Sequence, residues 1–319
     1  MKKIGVITSG GDAPGMNAAI RSVVRSAIYS GCEVVGIHRG FRGLLEDQYS
    51  HLSLRSVSGI INRGGTMLKT GRCPEMKTAA GMTQAITALR QLQIDGLVVI
   101  GGDGSLAAAN ALSRRGIPAV CIPGSIDNDI YGTDETIGFD TALNTAVEAI
   151  DKIRDTASSH ERVFIVEVMG REHGFLALAV GLAAGAEFIL VPEVKVSASV
   201  LCSELKQEHH RGKTSVIIVF AEGVGSPYEL AQKITKGTHQ EVRVSSLGYI
   251  QRGGTPSARS RILASKFGAH AVNLLLKGKK NRLVVLTRGG ITDIPIALAA
   301  GREKPIDQTA YTLAERLAT

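Results

Sequence analysis

The run Gly96-Leu-Val-Val-Ile100 has no polar side chain, and it stops at Gly101-Gly-Asp-Gly-Ser105 before a helical pattern begins. A strand with no polar face belongs where both faces are covered, as in a parallel sheet flanked by helices. The pattern recurs along the chain. Val- and Ile-rich segments at residues 3–8, 33–37, 96–101, 119–122, 163–168, 188–191, 215–220, 242–247 and 283–287 are predicted as strands. Helical periodicity falls between them, for example over residues 16–29, 105–114, 141–156, 176–184 and 261–276. Strand–helix alternation of this kind predicts an α/β architecture with ligands at the carboxyl ends of the strands. So many strands in 319 residues predict two Rossmann-like three-layer domains with mainly parallel sheets and an active-site cleft between them. The long helix after Gly138 is the expected crossing point. No low-complexity stretch, long linker or short repeat interrupts the pattern.

Composition narrows the function classes. Hydrophobic residues make up 44% and charged residues 21%, as in a globular protein with a full core. No apolar run approaches membrane-spanning length. The start, Met1-Lys-Lys-Ile-Gly-Val-Ile, reaches a Gly-Gly-Asp turn too soon for a signal peptide and reads as a first strand. A cytoplasmic location is expected. Cys32, Cys73, Cys121 and Cys202 are scattered, which argues against a zinc site or a disulfide framework. With no Trp and 4% aromatic residues, a stacking platform for single-stranded nucleic acid is not expected. The net charge of +8 is spread along the chain and suits pockets for small phosphorylated anions.

Five loops carry the candidate chemistry. Ser9-Gly-Gly-Asp-Ala-Pro-Gly-Met-Asn17 ends the first strand in a tight turn facing a helix start, either a phosphate loop or an ordinary connection. In Gly101-Gly-Asp-Gly-Ser105 the glycines let backbone N–H groups approach phosphate oxygens. Asp103 there either holds a metal shared with those phosphates or caps the helix. Pro123-Gly-Ser-Ile-Asp-Asn-Asp129 carries two carboxylates, Asp127 and Asp129, two residues apart. One suits a base and the other magnesium and water, and a surface Asx-turn is the alternative. Val168-Met-Gly-Arg-Glu-His-Gly174 offers Arg171 to a migrating phosphoryl group, or to solvent. Gln251-Arg-Gly-Gly-Thr-Pro256 places Arg252 beside permissive glycines. Arg162 and Arg243, beside or within strands, suit either a sugar phosphate or a salt bridge. The histidines show no metal spacing.

Taken in order, these five stretches resemble the bacterial ATP-dependent 6-phosphofructokinase family, in register to about residue 276 and more weakly beyond. The resemblance implies transfer of a phosphoryl group from ATP to the 1-hydroxyl of fructose 6-phosphate with Mg2+. It implies a homotetramer and ADP or phosphoenolpyruvate as effectors, without nucleic-acid or membrane partners. It also implies a nucleotide-binding domain of residues 1–138 plus 251–301. A sugar-phosphate-binding domain would comprise residues 139–250 plus 302–319.

By motif match, Asp127 is the implied base and Arg171 supports the transition state, with Ser125 and Asp129 beside them. Asp103 is the implied metal ligand. Gly11, Arg72, Cys73, Gly102, Asp103, Gly104 and Ser105 would line ATP. Ser125, Asp127, Met169, Gly170, Arg171, Glu222, Tyr249 and Arg252 would hold the sugar phosphate, with Arg162 and Arg243 from a neighbouring subunit. The implied effector site comprises Arg21, Arg25, Arg154, Gly185, Glu187, Arg211 and Lys213. Small Gly104 and Gly124 stand where pyrophosphate-using relatives carry larger residues, which predicts ATP as donor. Several positions depart from the pattern. Tyr249 stands for histidine, Cys73 for an aromatic, Phe41 for tyrosine, Met82 for an arginine, and Leu54 for an arginine with Arg55 adjacent. Cys73, Phe41 and Met82 predict a looser or altered adenine pocket, while Tyr249 falls beside the sugar phosphate and Leu54 in the effector site. The rival readings are a pyrophosphate-dependent phosphofructokinase, a kinase for another sugar phosphate, another kinase with a Gly-Gly-Asp-Gly loop, and a non-catalytic nucleotide-sensing subunit.

Overall fold

The computed structural model describes residues 1–318. The strands are β1 (Lys3–Ser9), β2 (Glu33–Ile37), β3 (Tyr49–Leu52), β4 (Gly96–Gly101), β5 (Ala119–Ser125), β6 (Ile137–Gly138), β7 (Val163–Val168), β8 (Phe188–Leu190), β9 (Val216–Ala221), β10 (Val242–Ser246), β11 (Arg282–Thr287) and β12 (Gly290–Pro295). The helices are α1 (Met16–Tyr29), α2 (Arg42–Leu45), α3 (Ala79–Gln91), α4 (Asp103–Ser113), α5 (Phe139–His160), α6 (Phe175–Ala184), α7 (Ala198–His210), α8 (Pro227–Thr238), α9 (Ala258–Leu276), α10 (Ile296–Ala299) and α11 (Gln308–Leu317). The α/β class and the mainly parallel sheets expected from the sequence are present. The chain divides into two compact units: Met1–Thr141 with Arg252–Lys304, and Ala142–Gln251 with Pro305–Thr319.

Unit 1 holds the sheet β12-β11-β5-β4-β1-β2-β3, with β6 paired to β5. Its centre is parallel; β3 and β12 run antiparallel to their neighbours. Every residue of β4 is buried, as its unbroken apolar sequence requires. On one side Leu97, Val99, Leu106, Leu112, Cys121 and Leu283 pack with Phe41, Met76 and Met82. Burying one Val, Leu or Ile side chain contributes about 1.5–3 kcal/mol, so this layer is a main source of stability. Burial pushes the Cys121 thiol far above its usual range, leaving it an inert core residue. Helix α1 lies against α9, where the Ser22 hydroxyl donates to the Ser265 carbonyl.

Unit 2 holds the fully parallel sheet β10-β7-β9-β8. Val163, Ile165, Val216, Ile218 and Phe220 pack against Leu201, Leu205 and Ile234 of α7 and α8. Helix starts are capped where the sequence offers a hydroxyl. Ser197 accepts from the Val200 N–H, and Ser226, followed by Pro227, accepts from the Glu229 N–H.

Candidate active site

In unit 1 the candidate loops leave the sheet side by side. Register pairs Ser9 with Gly101 and Gly101 with Pro123, so β1 and β4 end level at the carboxyl edge and β5 runs two residues beyond them. Gly11, residues 102–105, Ser125 and the Asp127–Asp129 loop all follow from that edge. Gly101 must be glycine: a Cβ there would meet the Ser9 carbonyl oxygen at 2.4 Å. The close approach lets the Ser105 hydroxyl donate to that carbonyl at 3.0 Å, pinning the start of α4 to β1. Asp103 is exposed in the first turn of α4, where N–H groups and the helix dipole favour an anion. Its Oδ1 accepts from the Gly301 N–H at 3.5 Å. Arg72 joins the same region, because Gly10 donates to the carbonyl of neighbouring Gly71 and accepts from Thr70.

Asp127 is 3% exposed, and its N–H donates to the Ser125 hydroxyl at 3.2 Å. Between it and Asp129, Asn128 takes a left-handed conformation (φ 54°), which asparagine tolerates better than most residues. Both ends of its amide are used. The Oδ1 accepts from Thr136 at 3.0 Å, and the Nδ2 donates to the Asp134 carbonyl at 3.1 Å. Lys304, half-buried, donates to the Asn128 carbonyl at 2.9 Å. Burial lowers its amine to about 8, against the pull of Asp134, Asp129 and Glu135.

In unit 2 the carboxyl edge carries Met169, Gly170 and Arg171 after β7, Glu222 after β9 and Tyr249 after β10. Gly170 has φ 146°, and a Cβ there would meet the His173 carbonyl at 2.5 Å. Arg171 is itself left-handed (φ 53°) and exposed, and its N–H donates to Glu222 at 3.1 Å. The buried Gln251 accepts from the Met169 N–H and donates to the Gly248 carbonyl, so it ties the Arg171 loop to the turn bearing Tyr249. Tyr249 is 78% exposed. Arg252 opens the second segment of unit 1.

Arg162 and Arg243 stand elsewhere. They flank the amino ends of β7 and β10, and both pair with Glu241, Arg162 at 2.8 Å. The same pair holds the Glu241 carboxyl below its usual range, Arg162 first. Nothing in the sequence pattern singled out Glu241 or Lys304, and Gln251 stood in its motif without a role.

A further cluster forms around Glu187 in unit 2. Its Oε2 accepts from the Ile217 N–H at 2.7 Å, and its Oε1 lies 3.4 Å from both Arg154 and Lys213. Arg154 also donates to the carbonyls of Ala184 and Gly185. Arg211 pairs with Glu208 at 2.9 Å and, with Glu187, lines a cavity of about 610 Å³ bounded by α7 and α11. Arg21 and Arg25 belong to unit 1, on α1.

Among the departures, Phe41 and Met82 are 2% and 3% exposed, within the unit 1 core. Their side chains therefore pack inside the core and do not line an open pocket. The Cys73 thiol is raised by burial and by its hydrogen bond to Glu75. Leu54 and Arg55 are exposed.

A metal fits this chain as an ion shared with phosphates. Among the described residues no group of three or more His, Cys, Asp or Glu side chains could enclose one alone. The carboxylates at the unit 1 edge are hard oxygen donors, and magnesium keeps most of its shell for water and phosphate. No helix among the described residues is long and apolar enough to cross a membrane.

A phosphofructokinase family model matches residues 3–275. The chain is 56% identical over 317 residues to a Clostridioides difficile protein named ATP-dependent 6-phosphofructokinase, covering 99% of each. A Bacillus subtilis protein of the same name is 54% identical over 317 residues, again covering 99% of each. Among solved structures, the Pichia pastoris phosphofructokinase in the T-state superposes with a TM-score of 0.89 at 35% identity, over 99% of this chain and 38% of that one. A pyrophosphate-dependent phosphofructokinase from Marinobacter aquaeolei shares the fold, with a TM-score of 0.86 at 23% identity over 100% of this chain and 92% of its own. The chain belongs to the phosphofructokinase family.

Proposed function

We propose that this protein transfers the γ-phosphoryl group of ATP to the 1-hydroxyl of fructose 6-phosphate, giving fructose 1,6-bisphosphate and ADP. The observation that carries this reading is the full-length likeness to proteins named for that activity, at up to 56% identity. The candidate acids and Arg171 sit in loops at carboxyl strand ends, where α/β folds put their chemistry. Unit 1 then serves the nucleotide and unit 2 the sugar phosphate.

In this reading Asp127 accepts the proton as the sugar oxygen bonds to the γ-phosphorus and the bond to ADP breaks. Ser125 orients that loop. Arg171 and the N–H groups at the start of α4 stabilise charge on the equatorial oxygens. Asp103, with Asp129 beside it, would hold magnesium, which when bound would supply positive charge to offset that of the phosphates. Gly11, Arg72, Cys73 and residues 102–105 line the nucleotide. Met169, Gly170, Glu222, Tyr249 and Arg252 position the sugar phosphate. A Cβ on Gly104 would meet nothing within 4 Å, so the loop leaves space for a nucleotide.

Arg162 and Arg243 serve the substrate of a neighbouring subunit in a homotetramer. Arg21, Arg25, Arg154, Gly185, Glu187, Arg211 and Lys213 form the effector site for ADP or phosphoenolpyruvate. The protein works in the cytoplasm. A coupled assay crossing ATP, GTP and pyrophosphate with fructose 6-phosphate and other sugar phosphates tests the reading. Turnover is expected with ATP and fructose 6-phosphate. Its absence, or turnover with pyrophosphate alone, overturns the reading.

A further inference from the structure

Residues 301–304 form a short strap that touches both carboxylate loops of unit 1. At one end the Gly301 N–H points at Asp103 Oδ1 at 3.5 Å. The Arg302 guanidinium lies 4.8 Å from the centre of the Tyr131 ring. Glu303 forms an antiparallel bridge with Ile130, the residue after Asp129. At the other end the Lys304 ammonium donates to the Asn128 carbonyl at 2.9 Å and reaches the Asp134 carbonyl at 3.4 Å.

A half-buried ammonium needs good partners to stay in place. Lys304 has two backbone carbonyls and the fields of Asp129, Asp134 and Glu135. The nearer of the two carbonyls is that of Asn128, the left-handed residue that sets the angle between Asp127 and Asp129. The Asn128 amide fixes one side of this turn, through Thr136 and Asp134. Lys304 fixes the other.

We propose that Lys304 is a positioning residue for phosphoryl transfer. By holding the Asn128 carbonyl it sets the backbone between Asp127 and Asp129, and the strap it anchors ties that loop to the start of α4. Lys304 itself touches no reacting atom. This deepens the functional reading above and rests on it, since it presumes that Asp127 is the base.

The test compares the full chain with its Lys304→Met and Lys304→Arg variants. Three quantities are read: kcat and KM for fructose 6-phosphate, the melting temperature, and amide hydrogen exchange without substrates. Small displacements of a catalytic group cost up to about a hundredfold, so Lys304→Met should lower kcat by about tenfold or more. KM for fructose 6-phosphate should stay within about twofold, because only the reacting geometry is loosened. Exchange should quicken over residues 126–136 and stay unchanged in β1 and β4. Lys304→Arg, which keeps charge and donors, should recover most of the rate.

Should Lys304→Met fail to accumulate folded, Lys304→Gln takes its place with the same expected loss. Parental kcat and exchange in the uncharged variant overturn the proposal. So does a loss spread evenly over unit 1 and not rescued by arginine. If the parent protein shows no turnover, the functional reading fails, and the exchange comparison still decides whether Lys304 holds the loop.

Discussion

In unit 1 the loops leaving β4 and β5 carry Asp103, Asp127 and Asp129, and the cation that meets the second loop at the Asn128 carbonyl, Lys304, comes from the far end of the unit's second segment. In unit 2 the loop leaving β7 carries Arg171, and an acid, Glu222, holds it by its backbone. Both edges are carboxyl ends of parallel strands, and they differ in the groups they carry. Each keeps its working groups in a left-handed turn, at Asn128 in one and at Gly170 and Arg171 in the other. Each turn is braced by a group from a distant segment. Charges fixed in this way need little reorganisation when a phosphoryl group passes, which is where electrostatic catalysis gains most. The carboxylates suit metal and proton handling, and the arginine suits an anion in transit.

The comparison can be broken from either side, and the largest effects should come from the working groups. Arg171→Ser should lower kcat by about 10³ or more, as for an arginine that meets transition-state charge. Asp127→Ser should lower it by about 10²–10⁴ while sugar binding persists. Near-parental turnover in either variant removes that edge from the chemistry. Arg162→Ser and Arg243→Ser should raise KM for fructose 6-phosphate by about tenfold or more, the worth of a charge-assisted hydrogen bond, and flatten cooperativity, with ATP binding little changed. Normal sugar-phosphate binding in both variants would leave these arginines as plain partners of Glu241.

Glu187→Ala sharpens the contrast between a working edge and an internally satisfied cluster. It leaves the Ile217 N–H without its acceptor and should cost about 1–3 kcal/mol in chemical denaturation. The response to ADP should disappear while unregulated turnover remains. The smallest effect is expected at the amino edge of the unit 1 sheet. There the N–H groups of Lys2 and Lys3 hold the Asp95 carboxyl below its usual range. A depressed carboxyl stabilises the fold above its unfolded value of about 4, and that stability is lost as pH falls through the lower folded value. Asp95 is exposed, so Asp95→Asn should cost under about 1 kcal/mol at neutral pH and flatten the acid side of the stability profile, with turnover unchanged. An unaltered acid profile would contradict this.

Much of this arrangement was legible in the residues. β4 was readable because it is buried on both faces and therefore apolar throughout. Tyr49–Leu52 and Gly290–Pro295 were not read as strands: they are outer strands with exposed positions, and their polar residues erase the pattern. The short β6 gave no signal either, being two residues long. Asp103 and Arg171 were readable because constrained glycines, Gly101 and Gly170, precede them at strand ends, and Asp127 because a second carboxylate stands two residues on after an apolar strand. Lys304 was not, because it meets Asn128 across a sequence gap of 176 residues and lies where the family pattern fades. Glu241 and Gln251 lie inside the family pattern, but their partners Arg162 and Met169 are 79 and 82 residues away in sequence. A brace is defined by what it touches, and a single sequence does not contain contacts.

The central proposal is that Asp127 and Arg171 serve the same phosphoryl transfer. A double-mutant cycle on kcat tests it most directly, with Asp127→Ser, Arg171→Ser and the double variant measured by single turnover with ATP and fructose 6-phosphate. Groups that serve one transition state are strongly non-additive, so the double variant should be about as slow as the slower single one. Losses that multiply in full would show two independent sites and contradict the account.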